Sequence, residues 1–83
     1  MTKEELDNLL KEDDYFIDKV NNSYHKKMTD FFIYIKVADD IIDIYAINSL
    51  VKVKKSLYFK YIIEDELIDI INQLKKAINK YKI

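Results

Sequence analysis

Apolar and polar residues recur with two different periods along the chain, and the change of period divides it into three zones. In the first zone, Leu6, Leu9 and Leu10 lie at helical spacing. Thr2 and Glu5 precede them in the pattern of a capping box, in which the two side chains satisfy free N–H groups at a helix start. This pattern predicts an N-terminal helical segment.

The segment 15–28 fits two different structures. Its apolar residues form a stripe at helical spacing, made by Phe16, Ile17, Val20, Tyr24 and Met28. The turn-prone run Asn21-Asn22-Ser23 interrupts this stripe, and a strand over 15–20 is compatible with it. The pattern leaves helix and strand open for 15–28.

The second zone, from Phe31 to Ile63, alternates with period two and is rich in the β-branched and aromatic residues that suit pleated strands. The apolar positions expected on successive strands are Phe31, Ile33, Ile35 and Val37, then Ile42, Ile44 and Ala46, and finally Leu57, Phe59, Tyr61 and Ile63. The expected breaks are Asp39-Asp40, Asn48-Ser49 and Lys54-Lys55-Ser56. Because none of these breaks contains glycine, we predict type I turns over primed two-residue turns.

The third zone predicts an amphipathic C-terminal helix. Acidic residues open it and lysines close it, as the helix dipole favours. Its apolar stripe is Leu67, Ile71, Leu74, Ile78 and Tyr81. The three zones together predict a single α+β domain over residues 1–83. We expect a two-layer sandwich: an N-terminal helical segment, a three- to four-stranded antiparallel sheet and the C-terminal amphipathic helix, with both helices on one sheet face.

Several residue types are absent from the 83-residue sequence, which excludes whole classes of site. Without cysteine there is neither a disulfide nor a thiolate metal site. Without glycine there is no glycine-based phosphate loop, and without arginine there is no bidentate fork for phosphate or guanine. The net charge of −1 is too balanced for a dedicated DNA-binding protein. We therefore expect no cofactor.

The location of the protein is predicted from the same composition. The segment 1–10 has no apolar run of the secretory type, and no stretch approaches the roughly 18 apolar residues of a membrane span. We expect a cytoplasmic protein without a membrane partner. Amino acids with A/T-rich codons dominate, which is typical of a low-GC bacterium or its phages and plasmids.

The segment Asp39-Asp40-Ile41-Ile42-Asp43 is the main candidate for metal chemistry. It resembles the DDxxD motif of isoprenoid diphosphate synthases, in which aspartates on one helical face bind magnesium. That family is all-helical and several times longer, and it uses a second aspartate-rich motif and basic residues. Here the alternation of Ile and Tyr favours strands, and three acids alone do not make a magnesium site. We interpret Asp39 and Asp40 as a hairpin turn with Asp43 facing solvent.

No catalytic residue is assigned. His25 is the only histidine, and nothing in the sequence places a nucleophile or an orienting carboxylate beside it. We interpret it as a surface residue next to Lys26 and Lys27. The protein is therefore expected not to be an enzyme, and neither catalytic nor metal residues are predicted.

The candidate binding surface is the sheet face that points away from the helices. It interleaves aromatic and lysine side chains, and the residues expected to bind a partner are Tyr34, Tyr45, Lys52, Lys54, Tyr58 and Lys60. Tyrosine is enriched at protein interfaces, whereas rings between lysines also suit single-stranded bases. A plain solvated face with cross-strand pairs is the third interpretation.

The leading hypothesis is a small non-enzymatic protein-binding module that inhibits or regulates a partner protein. A phage or mobile-element inhibitor of host defence, or an immunity-type protein, would belong to this class. The alternative is a small single-stranded nucleic-acid-binding domain that uses the same Tyr and Lys face. Exposed strand edges are also compatible with a homodimer.

Overall fold

The computed structural model describes residues 1–82, which form two helices and one five-stranded antiparallel sheet. The elements are α1 (Lys3–Glu12), β1 (Phe16–Asp18), β2 (Ser23–Lys27), β3 (Phe32–Ala38), β4 (Ile41–Ile47), β5 (Lys52–Tyr58), a 3₁₀ segment (Phe59–Tyr61) and α2 (Glu64–Ile78). Each strand pairs with the next one in the chain, so the sheet is a simple meander. The α+β class is confirmed, whereas the sheet has five strands rather than three or four.

The segment 15–28 supplies the additional strands, β1 and β2, joined by a tight turn. The Asp18 carboxylate accepts hydrogen bonds from the backbone N–H groups of Val20 and Asn21 at 3.1 and 3.2 Å, and from the Asn21 side chain at 2.7 Å. Asn22 follows with a left-handed φ of 50°, which asparagine tolerates better than most residues. The helical interpretation of this segment is wrong, because the turn and the pairing of β2 with β3 satisfy its backbone instead.

Both helices contribute to one hydrophobic core, which lies on one face of the sheet. The largest fully buried side chains come from α1, from the three strands β2, β3 and β4, and from α2, and are Leu6, Leu10, Tyr24, Ile33, Ile35, Ile42, Ile44, Leu67 and Ile78. Each buried Leu or Ile contributes about 1.5–3 kcal/mol relative to exposure. The apolar stripe of α2 is confirmed through Ile78, but Tyr81 lies beyond the helix end and is 47% exposed.

The two helices begin differently. The Thr2 side chain caps α1 by accepting a hydrogen bond from the Glu5 N–H at 3.1 Å, as the capping pattern predicts. No side chain caps α2, and three acidic residues in its first turn, Glu64, Asp65 and Glu66, favour the positive end of its dipole. No helix within residues 1–82 is long and apolar enough to cross a membrane.

The strand β5 lies earlier in the chain than predicted. It runs unbroken through Lys54-Lys55-Ser56 and ends at Tyr58, so the predicted break there and the predicted strand from Leu57 to Ile63 are wrong. The whole strand pairs with β4, and long lysine side chains on an edge strand reach water without disturbing that ladder. The N–H of Phe59 then donates to the Asp40 carbonyl at 2.8 Å, and the chain turns into the 3₁₀ segment.

The hairpin turn at Asp39-Asp40 is confirmed, but its turn type is not the predicted one. Ala38 pairs with Ile41, so the loop has only the two aspartates. Asp39 has a φ of 54°, whereas the first central residue of a type I turn has φ near −60°. A left-handed first residue belongs to the primed hairpin turns, which match strand twist. Aspartate is among the residues that reach this region at modest cost.

Two buried tyrosines differ in their hydrogen bonding. The Tyr24 hydroxyl donates to the Asp7 carboxylate and accepts from the Lys3 ammonium, which connects α1 to β2. The Tyr15 hydroxyl is also buried, but no atom of residues 1–82 forms a hydrogen bond with it. Burial raises the pKa of both phenols above the ordinary value, and the nearby carboxylate of Asp7 or Asp13 adds to the effect.

Removal of each hydroxyl is expected to have a different effect on stability. Tyr24→Phe should lower the free energy of unfolding by about 1–3 kcal/mol, because Asp7 and Lys3 lose a part-buried partner. Tyr15→Phe should leave the free energy unchanged or raise it, because the lost hydroxyl has no protein partner in the described chain. Urea denaturation of both variants measures this difference.

The contribution of Tyr24 to the free energy of unfolding should depend on pH. Because the folded pKa of Tyr24 is raised, its contribution to stability is complete below the ordinary pKa of 10.0 and declines at higher pH. Equal losses in the two variants at neutral pH would contradict a structural role for the Tyr24 hydrogen bonds.

Candidate functional site

The face of the sheet opposite the core is covered by neither α1 nor α2, and we call it the open face. Its side chains come from alternate positions of all five strands. They are Phe16, Asp18, Ser23, His25, Lys27, Phe32, Tyr34, Lys36, Ala38, Ile41, Asp43, Tyr45, Ile47, Lys52, Lys54, Ser56 and Tyr58, of which only Ser23 is buried. Along β3 and β4 these more exposed residues alternate with buried residues, because successive side chains of a strand point to opposite faces.

Four rings lie in line across the open face, in two contacting pairs. The register places Phe16 opposite His25, His25 opposite Tyr34, and Tyr34 opposite Tyr45. Phe16 and His25 are stacked with ring centroids 4.8 Å apart, and Tyr34 and Tyr45 lie 5.9 Å apart with their planes tilted by 52°. We call Phe16, His25, Tyr34 and Tyr45 the aromatic row. Cross-strand aromatic pairs of this kind also stabilise the sheet.

Lysines lie at the β5 end of the aromatic row. Lys54 is directly opposite Tyr45, and the ammonium groups of Lys52 and Lys54 lie 5.1 and 5.6 Å from the Tyr45 ring centroid. Lys54 is also 3.9 Å from the Asp43 carboxylate, which accepts a hydrogen bond from Ser56. Of the predicted binding residues, the structure brings Tyr34, Tyr45, Lys52 and Lys54 together.

The other two predicted binding residues lie elsewhere. Tyr58 belongs to the open face, opposite Ile41, but its ring contacts Tyr61 at a corner of the sheet, 6.4 Å between centroids. It is 65% exposed. Lys60 lies in the 3₁₀ segment and has no position on the open face, so this part of the prediction is wrong. The cause is the early end of β5, which places Lys60 beyond the sheet.

Sequence reasoning missed half of the aromatic row. Phe16 and His25 lie on β1 and β2, and their positions are defined only if 15–28 is a hairpin. The clue in the sequence was the turn-prone run 21–23 preceded by Asp18, whose side chain caps turns of this kind. Phe16 is 60% exposed, so this end of the row is the most accessible.

The segment that resembles the DDxxD motif forms a hairpin. Asp39 and Asp40 form its turn, and Asp43 follows on β4. Asp43 is half-buried rather than fully solvated, because Ser56 and Lys54 contact its carboxylate. Residues 1–82 contain no group of three or more acidic, histidine or cysteine side chains arranged to hold a metal ion.

Charge is separated between the two layers of the fold. The five strands carry six lysines and two aspartates, a net charge of +4. The two helices carry four lysines and eight acidic residues, a net charge of −4. The total of −1 for the whole chain conceals this separation. On the open face itself, four lysines and two aspartates give a net charge of +2, which favours a negatively charged ligand.

The comparisons with known proteins do not extend this description. No protein-family model matches the sequence, and no curated protein or solved structure is similar to it. The geometry and charge of the open face are therefore the features from which a function can be inferred.

The exposed end of the aromatic row depends on the turn that Asp18 stabilises. Hydrogen bonds to its carboxylate, chiefly from the Asn21 side chain, lower the pKa of Asp18 below its ordinary value. Asn21→Ala should raise that pKa, because it removes the side-chain donor and keeps the backbone donor. An NMR titration of the Asp18 carboxyl carbon in the variant and the original protein measures the difference.

The stabilising effect of Asp18 should appear only when the carboxylate is charged. It is present above the ordinary aspartate pKa and is lost as the pH falls through the lower folded value. The amide shifts of Phe16 and Ile17 should therefore move toward unfolded values in acid. Identical titration curves for the Asn21→Ala variant and the original protein would contradict this assignment.

Proposed function

We propose that the protein is a small non-enzymatic binding module that inhibits or regulates a partner protein through its open face. The observation that carries this proposal is the aromatic row on an uncovered sheet face, with Lys52 and Lys54 at one end. Aromatic side chains are enriched at protein interfaces, where they bury a large area at a low entropic cost.

The row is well suited to binding because its rings are already ordered. Tyr34 and Tyr45 are half-buried, and each is held on a strand between fully buried neighbours, such as Ile44 and Ala46 on β4. Binding would therefore order few additional rotamers, which lowers the entropic cost of association. The exposed Phe32 adds apolar area beside the row.

The side chains best able to do chemistry are engaged in structural contacts, which supports a non-enzymatic role. Asp43 contacts Ser56 and Lys54, and the His25 ring is stacked on Phe16. Within the proposed class, we favour a phage or mobile-element inhibitor of host defence, or an immunity-type protein, acting in the cytoplasm. The small size and the A/T-rich codon composition support this choice.

The partner should be obtained by affinity capture with the tagged protein from the lysate of an AT-rich bacterium. A protein that remains bound in stoichiometric amount after nuclease treatment is the expected result. Tyr45→Ala should then weaken its binding by about tenfold or more, as at a central interface residue. Isothermal titration calorimetry with the purified partner measures this loss.

A matched control separates the open face from general surface effects. Tyr81→Ala removes an exposed tyrosine that lies beyond the end of α2 and belongs to no strand of the sheet. We expect its affinity to stay within about twofold of the original protein, the range of a residue outside the interface. Equal losses for Tyr45→Ala and Tyr81→Ala would remove the open face as the binding site.

Single-stranded nucleic acid is the alternative ligand, and the charge separation is the observation that favours it. A basic sheet with accessible rings such as Phe16 and His25 suits stacked bases and their phosphates. The absence of arginine and the net charge of −1 weigh against it. This is why a protein partner remains the preferred proposal.

Charge reversal tests the alternative directly. If oligothymidylate binds to the original protein, the Lys52→Glu and Lys54→Glu double variant should not bind it. The affinity of the original protein should fall with salt: a plot of its logarithm against the logarithm of salt concentration should have a slope of about −0.7 per phosphate contacted. Fluorescence anisotropy measures both effects. The Lys80→Glu and Lys82→Glu double variant has the same change in net charge outside the sheet. An equal loss in this control would show that only total charge matters.

A further inference from the structure

The strand β5 is an edge strand with a full set of free backbone groups. In the meander it pairs only with β4, and its other side has no neighbouring strand among residues 1–82. The N–H of Phe59 donates to the Asp40 carbonyl, so Phe59 and every second residue before it direct their backbone groups toward β4. Lys52, Lys54, Ser56 and Tyr58 therefore direct their N–H and C=O groups outward.

This edge is long enough to accept another strand. It is seven residues long, whereas β1 at the opposite edge has only three. The Val37 N–H donates to the Asn22 carbonyl, so Asn22 and every second residue after it in β2 pair with β3, and the other residues of β2 pair with β1. In β1, Ile17 is therefore the only residue that directs its backbone groups outward. The two edges of the sheet are therefore not equivalent.

All charged side chains of β5 are positive. Lys52 and Lys54 project on the open face, and Lys55 projects on the opposite face of the same strand. No acidic residue occurs between Ile44 and Ile63. Lysines commonly protect an edge strand from pairing with a neutral or basic strand. The same lysines would attract a strand that is acidic.

We infer that the β5 edge binds an extended acidic segment of a partner protein, which adds to the sheet as a sixth strand. This inference rests on the proposed protein-binding function and names the chemistry of the partner. The outward N–H and C=O groups of Lys52, Lys54 and Ser56 supply the backbone ladder. Carboxylates on alternate residues of the added strand face Lys52 and Lys54, beside Tyr45.

Other occupants fit this edge less well. A second copy paired through β5 would place the lysines of the two strands close together, and like charges across a strand pair are destabilising. A second copy paired through β1 would offer the outward groups of one residue only. A nucleic acid backbone offers acceptors for the lysines but no regular donors for the free carbonyl groups.

A peptide titration followed by NMR tests the inference. The probe is a seven-residue peptide of alternating threonine and glutamate, matched to the length of β5, and the comparison peptide replaces each glutamate with lysine. The acidic peptide should shift the amide signals of Lys52, Lys54 and Ser56 most strongly. The lysine peptide should leave these signals unchanged.

A proline on the edge separates backbone pairing from charge attraction. Ser56→Pro removes one outward N–H and keeps every lysine, and proline is tolerated where the N–H of an edge strand faces solvent. Ser56→Ala is the matched control, because it also removes the hydroxyl that contacts Asp43 but keeps the N–H. Ser56→Pro should weaken acidic peptide binding by about tenfold relative to Ser56→Ala, equivalent to one or two net hydrogen bonds. Circular dichroism spectra must match before the affinities are compared.

Each other outcome overturns the inference. If the acidic peptide binds both variants equally, the attraction is electrostatic and the edge forms no ladder. If it shifts only Tyr34 and Tyr45, or if a captured partner is weakened by Tyr45→Ala and not by Ser56→Pro, the proposed binding function stands and the edge site is wrong. If no peptide binds while oligothymidylate does, both the edge site and the protein-binding function are wrong.

Discussion

The packing of α2 and α1 onto a single face of the meander is the constraint on which the rest of the structure depends. Successive side chains of a strand point to opposite faces, so the burial of Ile42, Ile44 and Ala46 beneath the helical layer leaves Asp43 and Tyr45 on the other side. A shift of one residue in the pairing would exchange the two sets. The residues that pack in the core therefore also determine which residues lie on the open face.

The same constraint explains why the aromatic row extends over four strands. Tyr34 and Tyr45 face each other because β3 and β4 are joined by a loop of two residues, which sets their register. The row extends to His25 and Phe16 because β1 and β2 continue the meander in the plane of the sheet. A crossover connection would have changed the order of the strands and separated these rings within the sheet. Short connections thus build a wide surface from a short chain.

The elements that could be predicted from the sequence are those in which apolar residues recur with a single period. β3, β4 and α2 each bury a regular stripe, and no competing pattern crosses them. The segment 15–28 was ambiguous because a short hairpin with Phe16, Ile17 and Tyr24 also satisfies helical spacing, and only pairing with β3 decides between the two. The single domain, the partner protein and the cytoplasmic location stay predictions from the sequence.

The limits of the site prediction have a similar cause. Lys60 was assigned to the open face because alternation was continued past Tyr58, where the chain turns into the 3₁₀ segment. Leu57, Phe59, Tyr61 and Ile63 keep the apolar alternation through this turn, so local periodicity does not reveal it. The lysines of β5 were taken for a break because strand propensity disfavours them, although an edge strand accepts their charged ends in water.

The separation of charge between the two layers has a consequence before any contact is made. Lysine-rich strands on one side and acidic helices on the other give the molecule a dipole moment across its thickness. A negatively charged body that approaches will rotate the protein until the sheet faces it, which raises the rate of productive encounter. The torque acts over about one Debye length, roughly 8 Å at physiological ionic strength. A ligand of that charge would thus be oriented during diffusion by the distribution of charge among the elements.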